Sequence, residues 1–127
     1  MKKTFLLILM LFIGCKSKET ALTFEYKNQA MHDIKVDSVK VFSYGFPFIS
    51  PVESERKTQE IKQNKISNVY QKYGLYKKDI GCVVNTKEDK SKKEYHKITN
   101  AYLEKRNGKG WRMKMENEIQ NVNKNYR

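Results

Sequence analysis

The sequence lacks most of what active sites are assembled from. Its two histidines stand far apart, and with two cysteines they form none of the usual zinc spacings. No Gly-x-Ser-x-Gly elbow occurs. The acidic residues are scattered through charged sequence, with no close pair in an apolar setting to drive two carboxyl pKa values apart. Cysteine catalysis would need Cys82 as thiolate with His32 or His96 as base. Cys82 lies among Ile80, Val83 and Val84, where burial is expected to keep a thiol protonated and inert. A hydrolase built on Glu25, Asp33 or Glu94 is the residual catalytic option, with no motif behind it. No metal site and no cofactor is expected. The chain also has no internal repeat, and its two prolines, Pro47 and Pro51, fall in one segment.

Long apolar runs are missing too. The only extended one, Thr4 to Gly14, is far short of the roughly 20 residues that span a hydrocarbon core, and Lys16 and Lys18 close it. It follows the cationic start Met1-Lys2-Lys3, so the opening reads as a secretory signal peptide over residues 1–14.

That run ends in Leu11-Phe12-Ile13-Gly14-Cys15, which resembles the lipobox of bacterial lipoproteins: a small residue before the cut and cysteine after it. Phe12 stands where the pattern prefers leucine. The resemblance implies cleavage before Cys15, a diacylglyceryl thioether on its sulfur and an acylated new amino terminus. It covers these residues alone and identifies no family for the rest of the chain. Several acyl chains on one residue hold a protein stably on a membrane, whereas one chain does so only marginally. Lipidation of Cys15 would leave Cys82 without a disulfide partner and exclude a small scaffold stapled by disulfides. In an organism with two membranes, a residue other than Asp after the lipidated cysteine, here Lys16, implies the outer membrane by the same resemblance.

The remaining chain is one small domain, preceded by a tether at residues 15–21 and running over residues 22–127. Leu22, Phe24 and Tyr26 alternate with polar residues, as do Ile34 and Val36, then Val39 and Val41 after a slip in phase at Asp37-Ser38. This predicts short antiparallel strands over Leu22 to Tyr44, with a bulge or tight turn at the slip. Ser54 to Tyr73 is free of Gly and Pro and carries Ile66, Val69, Tyr70 and Tyr73 at helical spacing, with Gly74 as its stop. Ile80 to Val84 reads as a buried strand. Lys87 to Arg106 reads as a helix ending at Asn107-Gly108, and Trp111, Met115, Ile119, Val122 and Tyr126 form the stripe of another. The sum is a small α+β domain: short antiparallel strands, then helix, strand, helix, helix.

What the chain has in abundance is positive charge. The formal charge is +12, or +10 once Lys2 and Lys3 leave with the signal, and it is unevenly placed. Up to Glu55 acids slightly outnumber bases after Cys15; from Arg56 to Lys78 Glu60 is the single acid among Arg56, Lys57, Lys62, Lys65, Lys72, Lys77 and Lys78. Such a face suits an anionic surface or an acidic envelope protein, the alternative being a merely solvated face. Tyr70, Tyr73, Tyr76, Tyr95 and Tyr102 interleave with lysines, as in single-stranded nucleic-acid grooves. Most of these tyrosines sit in apolar stripes, and an exported protein rarely meets nucleic acid, so that partner is not expected.

Partner-binding candidates are Arg56, Lys57, Lys62 and Lys65, the apolar residues Phe46, Phe48 and Ile49, and Trp111. Phe46, Phe48 and Ile49 either fold back to cap the core or form an exposed patch. Trp111 either anchors the core or sits at a wet interface. Asn107-Gly108-Lys109-Gly110 resembles a phosphate cradle only superficially and reads as a turn between helices. The functional expectation is a lipid-anchored envelope lipoprotein with a noncatalytic binding or structural role. The alternatives are a periplasmic inhibitor or immunity-type protein and, behind it, the hydrolase.

Overall fold

The computed structural model describes residues 20–45, 48–82 and 85–126. They form a small, mostly helical α+β domain. The signal peptide, Cys15 and residues 16–19 lie outside the described residues, as do Phe46, Pro47, Val83 and Val84.

The first element is a helix, not a strand. α1 spans Ala21–Lys35, and the Thr20 hydroxyl caps it by accepting the Thr23 backbone N–H at 3.3 Å. The helix thus takes in Ala21, which the sequence places in the tether over residues 15–21. Leu22 and Tyr26, taken above as one face of a strand, are also i and i+4. The pattern continues through Ala30 and Asp33, which are buried, whereas Lys27-Asn28-Gln29 breaks any alternation. Ala30 has no side chain beyond Cβ, so α1 can pack closely along a later helix. The slip at Asp37-Ser38 is the turn out of this helix, with Asp37 at φ +50.

β1 is Val39–Ser43, and α2 is Glu53–Lys72, with Glu53 and Glu55 in its first turn complementing the helix dipole. β2 is Leu75–Asp79. The two strands pair in parallel, in register from Val39↔Leu75 to Ser43↔Asp79, so the antiparallel expectation is corrected. A helix between two strands carries the chain back across, and that makes the strands parallel. The strand expected at Ile80 to Val84 is displaced: it ends at Asp79, and Cys82 is exposed instead of buried. β2 pairs with β1 alone, and among the described residues its other edge is open; only Leu75 of its five residues is buried.

α3, Thr86–Asn107, begins with the Asn85 side chain accepting the Lys87 N–H at 3.0 Å and stops at Gly108. α4 is Trp111–Asn125. The core joins Ala30, Val39, Tyr73, Leu75, Tyr95, Leu103, Trp111 and Met115. Phe42 fills the space between α1 and α3 edge-on to Tyr26 and Tyr95, with centroids 5.8 and 5.2 Å away. The buried Asp33 carboxylate accepts the Tyr95 hydroxyl at 2.7 Å and the Gln29 amide at 2.7 Å. The Tyr95 oxygen in turn accepts the Lys40 N–H at 2.7 Å, docking the outer edge of β1 onto α3.

α1, α2 and α3 all start at one end of the domain, where the strands finish. Thr23 meets Ser91 through hydroxyls 3.0 Å apart, Tyr26 donates to Glu88 at 2.9 Å, and Tyr44, just past β1, accepts Lys92 at 3.0 Å. α2 turns directly into β2 and runs back along it, with the Lys77 ammonium 5.5 Å from the Tyr70 ring centroid. A 20-residue helix is about 30 Å long, and a strand of 5 residues about 17 Å. The first half of α2 therefore overhangs the sheet. Its burial agrees: Ile66 is the first buried residue of the helix.

Three surface carboxylates give the fold its acid sensitivity. Arg106, and after it Tyr102, holds Asp37 below its ordinary 3.8. The Tyr26 hydroxyl and then Lys92 hold Glu88 below 4.5, and Lys72 with Tyr73 does the same for Glu118. Their contribution is complete above these ordinary values and is lost as pH falls through the lower folded ones. The urea midpoint is expected to fall between about pH 6 and about pH 3. Arg106→Gln should flatten that decline, and an unchanged slope would remove Asp37 from the account.

Candidate docking surface

The sequence-predicted residues separate into three places. Phe48 and Ile49 lie in the segment leading into α2 and are 78% and 68% exposed, with Val52 beside them at 48%. Capping of the core by these residues is thereby corrected, and Phe46 is outside the described residues. What holds the segment is polar and local. Ser50 is buried: its hydroxyl donates to Glu55 and accepts the Val52 N–H at 3.2 Å, while its own N–H reaches Gln59 at 3.4 Å. The chain is thus folded onto the first turns of its own helix. Next to it lies a shallow open depression of ≈ 320 Å³ lined by Ser54, Glu55, Thr58 and Gln59.

Arg56 and Lys57 follow on the overhanging half of α2, Arg56 exposed and Lys57 3.1 Å from Glu53. Lys62 is half-buried further along, and Lys65 lies where α4 begins to cover the helix, its ammonium 4.9 Å from the Tyr126 ring centroid. Trp111 belongs to neither group. It is buried, stacks on Tyr73 with centroids 6.1 Å apart, and donates its indole N–H to Glu104 at 3.2 Å, which rules out the wet-interface reading.

Around the open edge of β2, Lys40, which the sequence did not single out, joins Lys77, Lys78, Tyr70 and Tyr76 from the basic, tyrosine-interleaved run. Lys40 lies over the Tyr76 ring at 5.5 Å, paired across the strands in register, and Lys77 lies over Tyr70 at the same distance on the α2 side. Lys78, the next residue along the strand, is exposed. Cations resting on aromatic faces are held in place without being neutralised, so this edge presents fixed positive charge. Lys72 differs: Glu118 accepts it at 2.7 Å, together with the Tyr73 hydroxyl at 2.7 Å. The interleaving of Lys and Tyr is visible in the sequence, but which lysine meets which ring depends on strand register.

A second lysine cluster is structural. Lys92 is buried, bonded to Tyr44 and 3.1 Å from Glu88, with its ammonium 4.7 Å from the Tyr44 ring centroid and 5.7 Å from that of Phe42. Burial alone would depress this ammonium, but its bonds to Tyr44 and Glu88 carry it above 10.5. Burial and the same carboxylate push the Tyr26 hydroxyl up to about 12. Burial, then Arg112 and Lys92, lowers His96 below 6.5.

Asp33, one of the carboxylates considered for hydrolysis, is sealed in the core with its oxygens committed. Among the described residues no group of three His, Cys, Asp or Glu could hold a metal ion, and no helix is long and apolar enough to cross a membrane. No protein-family model, curated protein or solved structure matches the chain.

Proposed function

We propose that this chain is a lipid-anchored envelope lipoprotein whose small domain binds, without catalysis, an acidic envelope partner through the lysine-lined edge of β2. The anchor is Cys15, on the strength of the Leu11 to Cys15 motif; the outer membrane is the destination where a second membrane exists. The observation that carries the binding role is the set of cations around that edge that form no ion pair among the described residues, with Lys40 and Lys77 resting on tyrosine rings and Lys78 exposed. An open strand edge offers main-chain donors and acceptors to an extended segment. Flanking lysines select one that carries carboxylates, and steer its approach.

Two measurements test the reading. Metabolic labelling with a fatty acid should mark the wild-type chain and leave Cys15→Ala unlabelled and released from the membrane fraction; an unlabelled wild type sinks the anchor. For binding, poly-glutamate should associate with the detergent-solubilised lipoprotein at low salt and dissociate as salt rises. Replacing Lys40, Lys77 and Lys78 together with Glu should weaken it on the order of tenfold or more. Unchanged affinity would move the docking site elsewhere.

A further inference from the structure

The tip of the α2 arm has no counterpart inside the domain. We propose that Phe48, Ile49 and Val52 sit in the interfacial layer of the same bilayer that carries the Cys15 lipid, giving the domain a second, protein-borne membrane contact and a fixed orientation. This rests on the lipoprotein reading of Cys15 and adds to it.

Three features point to lipid as the occupant. The first is the tip itself. Two large apolar side chains are mostly exposed on a segment held by Ser50 and stiffened by Pro51, so their exposure is built in.

The second is position. α1, α2 and α3 start at the same end of the domain, and the overhang carries the start of α2 about 13 Å beyond the sheet, from the difference between helix and strand rise. α1, with 15 residues, extends only about 5 Å past the strands by the same rises. Cys15 precedes Thr20 by five residues, a reach of at most about 18 Å. A lipid on that cysteine therefore draws this end of the domain against the bilayer, and the exposed apolar side chains at that end include Phe48, Ile49 and Val52.

The third is the composition of the rim. Arg56 lies one turn behind the tip, and Lys87, Lys90 and Lys93 lie on the first turns of α3 at the same end, suited to phosphate headgroups. The acids there are largely engaged: Glu53 with Lys57, Glu55 with Ser50, Glu88 with Lys92 and Tyr26, and Asp89 with Tyr44. Apolar side chains at headgroup depth with cations behind them are the arrangement of interfacial membrane contacts. The lysine-lined edge of β2 lies along the side of the domain and stays accessible to a partner.

The test uses the full, natively lipidated chain with Cys82→Ser, so that Ile49→Cys supplies the one free thiol for an environment-sensitive nitrobenzoxadiazole label. The protein is reconstituted into vesicles of phosphatidylethanolamine and phosphatidylglycerol bearing bromine at shallow acyl positions. The expected result is a blue-shifted emission that loses most of its intensity to bromine quenching. The same label at Lys109→Cys, at the opposite end between α3 and α4, should keep its emission. An unquenched label at residue 49, on protein whose Cys15 lipid is verified by mass spectrometry, overturns the tip contact and leaves the anchor standing. Quenching at residue 49 on a chain with a bare Cys15 does the reverse. A blue shift that grows with protein density and ignores bromine assigns the tip to a second copy, and overturns the proposal.

Discussion

Trp111→Ala is expected to cost about 3–5 kcal/mol, the usual range for truncating a buried aromatic to alanine. The side chain is 1% exposed, stacks on Tyr73, donates to Glu104 and is covered by the Arg112 guanidinium 4.7 Å from its ring centroid. α4 buries only one other residue, Met115. The loss should therefore appear in two stages. Amide exchange in α4 should accelerate first, as the helix detaches locally. The urea midpoint should then collapse, because a domain of this size has only about 5–15 kcal/mol in total. Trp111→Phe keeps the stack on Tyr73 and should recover more than half of the deficit. A loss below about 1 kcal/mol for the alanine variant would mean that α4 is held by other contacts.

Gly74→Ala should be the most costly alanine replacement among the described glycines, at about 2–4 kcal/mol from a left-handed backbone plus a displaced ion pair. Gly74 sits at φ +76, and a Cβ there would lie 2.8 Å from Asp37 Oδ1 and 2.9 Å from Arg106 Nε. Those atoms form a two-pronged bond: Nε to Oδ1 and Nη2 to Oδ2, each 2.6 Å. Tyr102 also donates to Asp37 at 2.7 Å, and Arg106 Nη1 reaches the Lys72 carbonyl at 3.1 Å. The methyl group therefore pries α3 away from both the end of α1 and the end of α2. Arg106→Ala alone should cost less, about 1 kcal/mol, because the pair is partly solvated. The two changes should be less than additive: with Arg106 truncated the methyl has fewer atoms to displace, and mainly the backbone strain remains. Strict additivity in urea denaturation would show that the clash is not with this pair.

The sequence foretold α2, α3 and α4 because each carries a long apolar stripe at helical spacing, and the first two end at a glycine. Ile66 to Tyr73 before Gly74, Tyr95 to Leu103 before Gly108, and Trp111 to Tyr126 are patterns with enough repeats to separate one period from another. α1 was misread as strand because Leu22, Phe24 and Tyr26 are only three apolar positions, and Leu22 with Tyr26 fits either period. β2 was missed for a different reason. Tyr76, Lys77, Lys78 and Asp79 have no inward pattern, since the strand is held by main-chain pairing to β1 and by Leu75 alone. Parallel pairing depends on α2 being a crossover, which local alternation does not encode.

Of the candidate surface, the basic arm was legible as a run of charge. The exposure of Phe48 and Ile49 was not, because it is decided by Ser50 reaching Glu55 and Gln59, a matter of three polar residues and not of hydropathy. Lys40 was invisible for want of the register that sets it beside Tyr76. Trp111 was legible as either anchor or interface, and only packing against Tyr73 separates them.

The unpaired edge of β2 bears on how copies of this chain share a surface. On the proposed Cys15 anchor, molecules held by lipid in one plane would be concentrated in two dimensions, and an exposed strand is the natural template for stacking them edge to edge. An antiparallel match of two such edges would set Lys77 against its own counterpart, and like charges directly opposite are destabilising. On that proposal the same side chains would keep a crowded lawn of these domains from zipping into ribbons while admitting a strand rich in carboxylates.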